Sequence, residues 1–501
     1  MRAYFLTRPG RLWIALFAVA AVVAFAAMPK GFFGGASDDW QYLNASRCWA
    51  AHGPCLPTDH WQGRWPAIVP TAALISVFGE SRLTIAVWPM LSSAVALGLV
   101  IALGNKLAGA PAGWVAGILI LFIPTFGAKV MSPSIESLEL SFLAAGALCI
   151  AHWTRARAGA WAALAGLAFG MAFQVRETAL IGAGIAFAFI LAQRPRPADL
   201  LPAIAGFAAP LVVELLVYWV ATGDPLYRRE LSVAHTRVPS SELLGPIDSK
   251  HPPFFNPAYI ANWRREPGIH VHWLVDGPLN LLLNAAAGWS LLFSFFLLTI
   301  RRRQFSQAPR RLASALFIAA ACYVCALNYG LAVDPKPRIM LVPLVMSSLA
   351  LSVLLISLWR DGDRALARFL TAAHILSGLL VLFSQPQVYG VEDDAASWIE
   401  QYPDRLEADQ ATRRNLALVP GVSRISGLNR NRPLLIHVSE NGCRNWPARA
   451  GLHQGDARLL HALPMSRLGS ILPRGGSELC LFQLSHGMTG NDVGKAIRRS
   501  D

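Results

Sequence analysis

Charge is scarce in this chain. Of its 501 residues only 15% are charged and 54% are hydrophobic, with a mean hydropathy of +0.42. Soluble domains carry roughly 25% charged residues, so most of this chain is read as dissolved in lipid. Acids are the scarcer sign: 30 Asp and Glu against 44 Lys and Arg leave a formal charge of +14. No Gly-rich phosphate loop is evident, which removes the usual sign of a nucleotide pocket. The histidines make no recognised metal spacing. The first apolar run lacks an Ala-x-Ala type exit and reads as a retained anchor rather than a cleaved signal. The inverted repeat that many transporters carry is also missing.

What is present is a series of apolar runs. A membrane helix needs about 20 such residues, and eleven runs are found: 12–28, 83–104, 110–130, 135–153, 160–175, 178–193, 200–221, 278–300, 312–332, 339–359 and 365–384. Arg176 and Glu177 divide the fifth from the sixth. Lys and Arg concentrate in cytoplasmic loops near span ends. With the N-terminus inside, each inner loop is basic, from Arg2, Arg8 and Arg11 through Arg301, Arg302 and Arg303 to Arg360, Arg364 and Arg368. The positive excess is then mostly a topological signal, supplemented by groups for anionic lipid, and calls for no nucleic acid.

The expected architecture is an α-helical integral membrane protein of about 11 transmembrane helices with a small C-terminal extramembrane α/β domain. Residues 1–384 form the membrane domain, including outer loops 29–82 and 222–277, and residues 385–501 form the outer domain. In the first loop, helices are expected over Trp40–Ala51 and Ala67–Phe78; in the tail, strands over Leu434–Ser439 and Glu478–Ser485. Cys48 and Cys55 share the first outer loop, and Cys443 and Cys480 share the tail. Their compartment points to two disulfides. Cys149, Cys322 and Cys325 fall within spans and read as small apolar residues.

The residues that could carry chemistry lie on the outer side. Asp38 and Asp39 follow the first span. Adjacent residues on a helix point about 100° apart, and Tyr42 shares the face of Asp38, so Asp38 is the expected inward acid. An N-cap role is the plain alternative. Glu136 and Glu139 lie one turn apart at the outer end of the fourth span, where an ionisable group usually has a task. They could orient an acceptor, hold a cation or pair with a base such as Arg176. Lys336 and Arg338 stand against the positive-inside bias at the start of the tenth span. A lipid-linked phosphate supplies a reason for them, and snorkelling is the bland one. Tyr227, Arg228 and Arg229 form a further outer cluster.

These features together resemble the GT-C type of polytopic glycosyltransferase, in the branch with protein O-mannosyltransferases and lipid A aminoarabinose transferases. The resemblance covers about residues 1–360. It is carried by Asp38-Asp39 with Tyr42, by Arg64-Trp65-Pro66 to Phe78-Gly79, by Gly170 to Arg176, and by Lys336-Pro337-Arg338 through Pro343. Relatives often carry Glu where Asp39 stands.

The resemblance implies transfer of a sugar from a polyprenyl-phosphate donor to a glycan, lipid or protein acceptor at the outer face of the membrane, by inversion. It gives Asp38 and Asp39 as catalytic acids, and Lys336, Arg338 and Arg176 as lipid-phosphate contacts. Tyr42, Glu136, Glu139 and Arg228 would line the acceptor and donor pocket. It requires no cofactor, although a divalent metal near Asp38 and Glu136 is compatible with it. The implied setting is a bacterial inner membrane, with the N-terminus cytoplasmic and the tail periplasmic among membrane lipids. A flippase of lipid-linked sugars or a non-catalytic membrane scaffold are the alternatives.

Overall fold

The computed structural model describes residues 8–27, 37–193, 197–236, 278–330 apart from 280, 337–384 and 392–402, with parts of 405–485. The chain divides into two compact units. One comprises Met1–Phe25, Gln41–Glu80 and Thr84–Leu379; the other comprises Ala26–Trp40, Ser81–Leu83 and Leu380–Asp501.

The first unit is helical. Its elements are α1 (Arg8–Ala27), most of α2 (Ser37–His52), α3 (Trp65–Phe78), α4 (Arg82–Ala108), α5 (Ala110–Leu121), α6 (Pro124–Ala128), α7 (Glu136–Ala156), α8 (Gly159–Val175) and α9 (Ala179–Ala192). They continue with α10 (Pro197–Thr222), α11 (Tyr227–Thr236), α12 (Ser290–Thr299), α13 (Gln307–Cys325), α14 (Leu341–Asp361) and α15 (Arg364–Ser384). Among the described residues, six helices are long and apolar enough to cross a membrane: Arg82–Ala108, Glu136–Ala156, Leu200–Thr222, Gln307–Tyr329, Leu341–Asp361 and Arg364–Ser384. Each of the remaining apolar runs contains a shorter helix. This is the architecture of an integral membrane protein.

Local chemistry sets the ends that matter for the site. In α3, Pro66 occupies the first turn, where its missing N–H is no loss. Gly79, at φ +76°, closes it in the left-handed region that favours glycine. The chain breaks between α8 and α9 at Arg176, whose backbone is extended at φ −158°. The two-helix reading of that stretch is therefore the observed one. α8 and α10 then pack backbone to backbone: a Cβ on Gly166 would come within 1.9 Å of the Ala203 carbonyl oxygen. Small residues permit such close approach in a solvent where helix association depends on packing. α14 is the most deeply buried of the candidate spans.

The second unit contains α16 (Glu392–Gln401), β1 (Leu406–Ala408), β2 (Leu434–Ser439), α17 (Trp446–Arg449), β3 (Ala457–Pro464) and β4 (Glu478–Leu484). Both expected strands form, β4 ending one residue earlier than read from the sequence. The sheet order is β1-β2-β4-β3, parallel between β1 and β2 and antiparallel elsewhere, with His437 opposite Cys480. Successive strand side chains point to opposite faces. Leu434, Ile436, Leu479 and Leu481 accordingly pack with Ala395, Trp398 and Ile399 of α16. On the other face Leu435, Cys480 and Phe482 meet Trp446 and Cys443.

Candidate functional site

The site begins with α2. Its buried residues are Asp39, Tyr42, Leu43, Ala45 and Ser46, of which Asp39, Tyr42, Leu43 and Ser46 follow an i, i+3, i+4, i+7 pattern. Asp39 is 2% exposed, whereas Asp38 is half-buried. Of the two acids Asp39 is thus the buried one, whereas the helix spacing read from the sequence singles out Asp38. The helix starts at Ser37, so Tyr42 sits three residues from Asp39 and four from Asp38, and both spacings are helical neighbours.

Tyr42 is held within the first unit. It packs with Ala67 of α3, Ile135 and Leu138 at the start of α7, and Val175 at the end of α8. Arg64, the residue before α3, donates from Nη1 to the Tyr42 hydroxyl, and its guanidinium carbon lies 5.5 Å from the Tyr42 ring centre. Four segments distant in sequence thereby meet around one aromatic ring.

Beside it stands an ion cluster. Arg176 Nη2 donates to Glu136 Oε1 and Nη1 to Glu139 Oε2, each at 3.2 Å. All three residues are buried. The Tyr323 hydroxyl of α13 lies 3.4 Å from Glu139 Oε1 and 3.2 Å from the Thr178 carbonyl oxygen. The positive charges of Lys129 and Arg338 act on Glu136, and that of Arg64 acts on Glu139. Glu136 and Glu139 occupy the first turn of α7, where the helix dipole favours acids. The two carboxyls share one guanidinium, and the charges of Lys129, Arg338 and Arg64 act on them as well.

Arg228 anchors a second cluster. It donates to Gln174 Oε1 at 2.6 Å, Glu177 Oε1 at 2.8 Å and Glu214 Oε1 at 2.9 Å. Burial works against ionisation of Glu177, but the charges of Arg228 and then Arg64 outweigh it and hold this carboxyl below its usual range.

The structure therefore brings Tyr42, Glu136, Glu139, Arg176 and Arg338 into one electrostatic neighbourhood. Arg176, expected on a lipid phosphate, already has its guanidinium paired with two buried carboxylates. Arg228, expected in the pocket, is buried in its own ion node. Lys336 lies outside the described residues, and Arg338 is half-buried. Sequence reading did not single out Lys129, Gln174 or Glu214. For Glu214 a signal existed: an acid inside the seventh apolar run.

The cysteines pair as Cys48–Cys55 and Cys443–Cys480. Among the described residues, the grouping of three side chains able to hold a metal is Cys48, His52 and Cys55, and its two sulfurs are bonded to each other. At Glu136 and Glu139 the space between the carboxylates is bridged by Arg176.

Residues 70–219 match a family model described as dolichyl-phosphate-mannose-protein mannosyltransferase. That segment contains Glu136, Glu139, Arg176, Glu177 and Glu214. No curated protein matches the chain by sequence. Among solved structures, the Archaeoglobus fulgidus oligosaccharyltransferase in complex with Zn and sulfate is 16% identical over 88% of this chain and 70% of that one, with a TM-score of 0.49. ArnT from Cupriavidus metallidurans is 15% identical in the apo state, over 94% of this chain and 97% of that one, with a TM-score of 0.34. The same protein bound to undecaprenyl phosphate gives 14%, 95% and 98%, with a TM-score of 0.34. Similarity this low transfers no site residue. The resemblance to a GT-C type membrane glycosyltransferase read from the sequence stands on the family match over residues 70–219.

Proposed function

We propose that this protein transfers a sugar from a polyprenyl-phosphate donor to an acceptor at the outer face of a membrane. The match of residues 70–219 to a mannosyltransferase family model carries this reading. Glu136, Glu139, Arg176, Glu177 and Glu214 of the two clusters lie on the same segment, where charge in or beside a membrane helix is costly without a task.

In the proposed chemistry, a carboxylate takes the proton of the acceptor hydroxyl or amine as that group attacks the anomeric carbon. The bond from that carbon to the phosphate oxygen breaks, and the sugar inverts. The departing polyprenyl phosphate gains negative charge, which nearby cations stabilise. Asp38 is the proposed base, since it is half-buried and keeps a side open to substrate. The buried Asp39 orients it. Arg338 and Lys336 serve the phosphate. Arg176 holds Glu136 and Glu139, which orient the bound groups. A divalent metal is not required by this scheme. Chelation that abolishes turnover would add one. The proposed setting is a bacterial inner membrane with the C-terminal domain in the periplasm.

The test is direct. Purified protein in lipid nanodiscs receives labelled polyprenyl-phosphate mannose or polyprenyl-phosphate aminoarabinose with an envelope extract, and released polyprenyl phosphate is measured. Asp38→Asn is expected to lower turnover by at least about 100-fold, the range typical of a lost general base. Undiminished turnover in that variant removes Asp38 from the mechanism. Movement of the intact donor across vesicles without sugar transfer would identify a flippase instead.

A further inference from the structure

Arg228 is not part of the acid cluster, yet its contacts converge on that cluster's support. Besides Gln174, Glu177 and Glu214, its Nη2 lies 3.3 Å from the Gln174 carbonyl oxygen and 3.5 Å from that of Phe173. Phe173 and Gln174 precede Arg176, and Glu177 follows it. One guanidinium therefore grips both sides of the turn that presents Arg176. Arg228 lies in the first turn of α11, which is tied down independently. The hydroxyl of its neighbour Tyr227 donates to the Pro57 carbonyl at 3.0 Å, and the Tyr227 ring lies 5.5 Å from that of Tyr218 in α10.

We propose that Arg228 is a positioning residue for the transfer reaction: it locks the α8–α9 turn, and through Arg176 fixes the carboxylates of Glu136 and Glu139. The proposal rests on the glycosyl-transfer reading above. Geometry explains the choice of side chain. The acceptors lie in α8, in the turn and in α10, so they must be reached in several directions at once. A guanidinium offers five donors in a rigid fork, whereas a lysine offers three protons on one nitrogen. A neutral replacement would leave Glu214 and Glu177 without their cation, and breaking a buried pair is strongly destabilising. Arg228→Lys keeps the charge and removes the fork, which makes it the informative variant.

Two measurements decide the matter. The first compares kcat and KM of Arg228→Lys, Arg176→Lys and the double variant on polyprenyl-phosphate mannose or aminoarabinose, with melting temperatures recorded alongside. Arg228→Lys is expected to lower kcat about tenfold or more through misplacement of reacting groups, with the donor KM within about twofold and the melting temperature kept. The double variant should be no slower than Arg176→Lys, because residues acting through one turn are not additive. The second measurement is the maleimide labelling rate of Thr178→Cys, with Cys149, Cys322 and Cys325 replaced by alanine. Arg228→Lys should raise it several-fold by releasing the turn. Full kcat in Arg228→Lys, losses that multiply in the double variant, or an unchanged labelling rate would each overturn the proposal. Labelling reads the turn without catalysis. If the wild type turns over neither donor, the proposed function fails while the labelling still decides the positioning role.

Discussion

At the scale of single residues, the energetics centre on Arg176. Its partners Glu136 and Glu139 are 4% and 2% exposed, so neither can recover hydration if the guanidinium is lost. Removing one member of a buried ion group costs about 3–5 kcal/mol, because the uncompensated charge remains. Arg176→Ala is therefore expected to destabilise the purified protein by about that amount in denaturant titration. Glu136→Gln together with Arg176→Met, which removes a charge of each sign, should recover part of the loss. A single Arg176→Ala as stable as wild type would mean that water reaches both acids. The same residues show what a sequence can reveal. Glu136 and Glu139 were legible as neighbours because one helical turn separates them, and Arg176 was legible as a break because a charge interrupts an apolar stretch. The choice between Asp38 and Asp39 was not legible. It depends on which side of α2 is buried, and the spacing to Tyr42 suits either acid. The contact of Arg64 with Tyr42 was hidden because it joins residues 22 positions apart in the chain.

At the scale of elements, the second unit shows the limits of pattern more clearly. β2 and β4 could be read from apolar runs, but the polar node behind β2 could not. Asp409 Oδ2 lies 3.0 Å from His437 Nδ1 and accepts from the Thr412 hydroxyl at 2.6 Å. Burial works against ionisation of Asp409, but the hydrogen bonds from His437 and Thr412 outweigh it and hold the carboxyl below its ordinary range. The folded value is thus below the unfolded one, near 3.9. The stability contributed by Asp409 is complete above about pH 3.9 and is lost as pH falls through the folded value. Hydrogen exchange of the peptide containing Leu434–Ser439 should show Asp409→Asn less protected than wild type near neutral pH. The gap should close as pH falls through the folded value. A gap independent of pH would show that the carboxylate's charge contributes nothing. The disulfides offer a second comparison at this scale. Cys443 and Cys480 are separated by 37 positions and Cys48 and Cys55 by 7. Loop-closure entropy then assigns about 4 kcal/mol to the first and about 2.5 kcal/mol to the second. Replacing Cys443 and Cys480 by alanine should loosen exchange across β2 and β4 by the larger amount, and replacing Cys48 and Cys55 should affect the α2–α3 connection by the smaller.

At the scale of the whole molecule, the strongest constraint is the placement of charge along the chain. Arg301, Arg302 and Arg303 lie between α12 and α13, and Arg310 and Arg311 near the start of α13. Such clusters fix orientation because basic loops stay on the cytoplasmic side. The break at Arg176 enters the same argument: with α8 and α9 separate, every later segment keeps the side that its charges favour, and with one continuous helix every later segment would invert. The proposed chemistry needs Arg338 on the same side as Asp38 and the tail, opposite the arginine-rich loop. Ser306 and Ser397 are both exposed and can report on this. In a variant lacking the free cysteines, a membrane-impermeant maleimide added to intact cells should label Ser397→Cys at once. Ser306→Cys should be labelled only after permeabilisation. The reverse pattern would invert the molecule. Labelling of both from outside would place an even number of crossings between them, which would remove one of the last three spans and put the phosphate role of Arg338 in question.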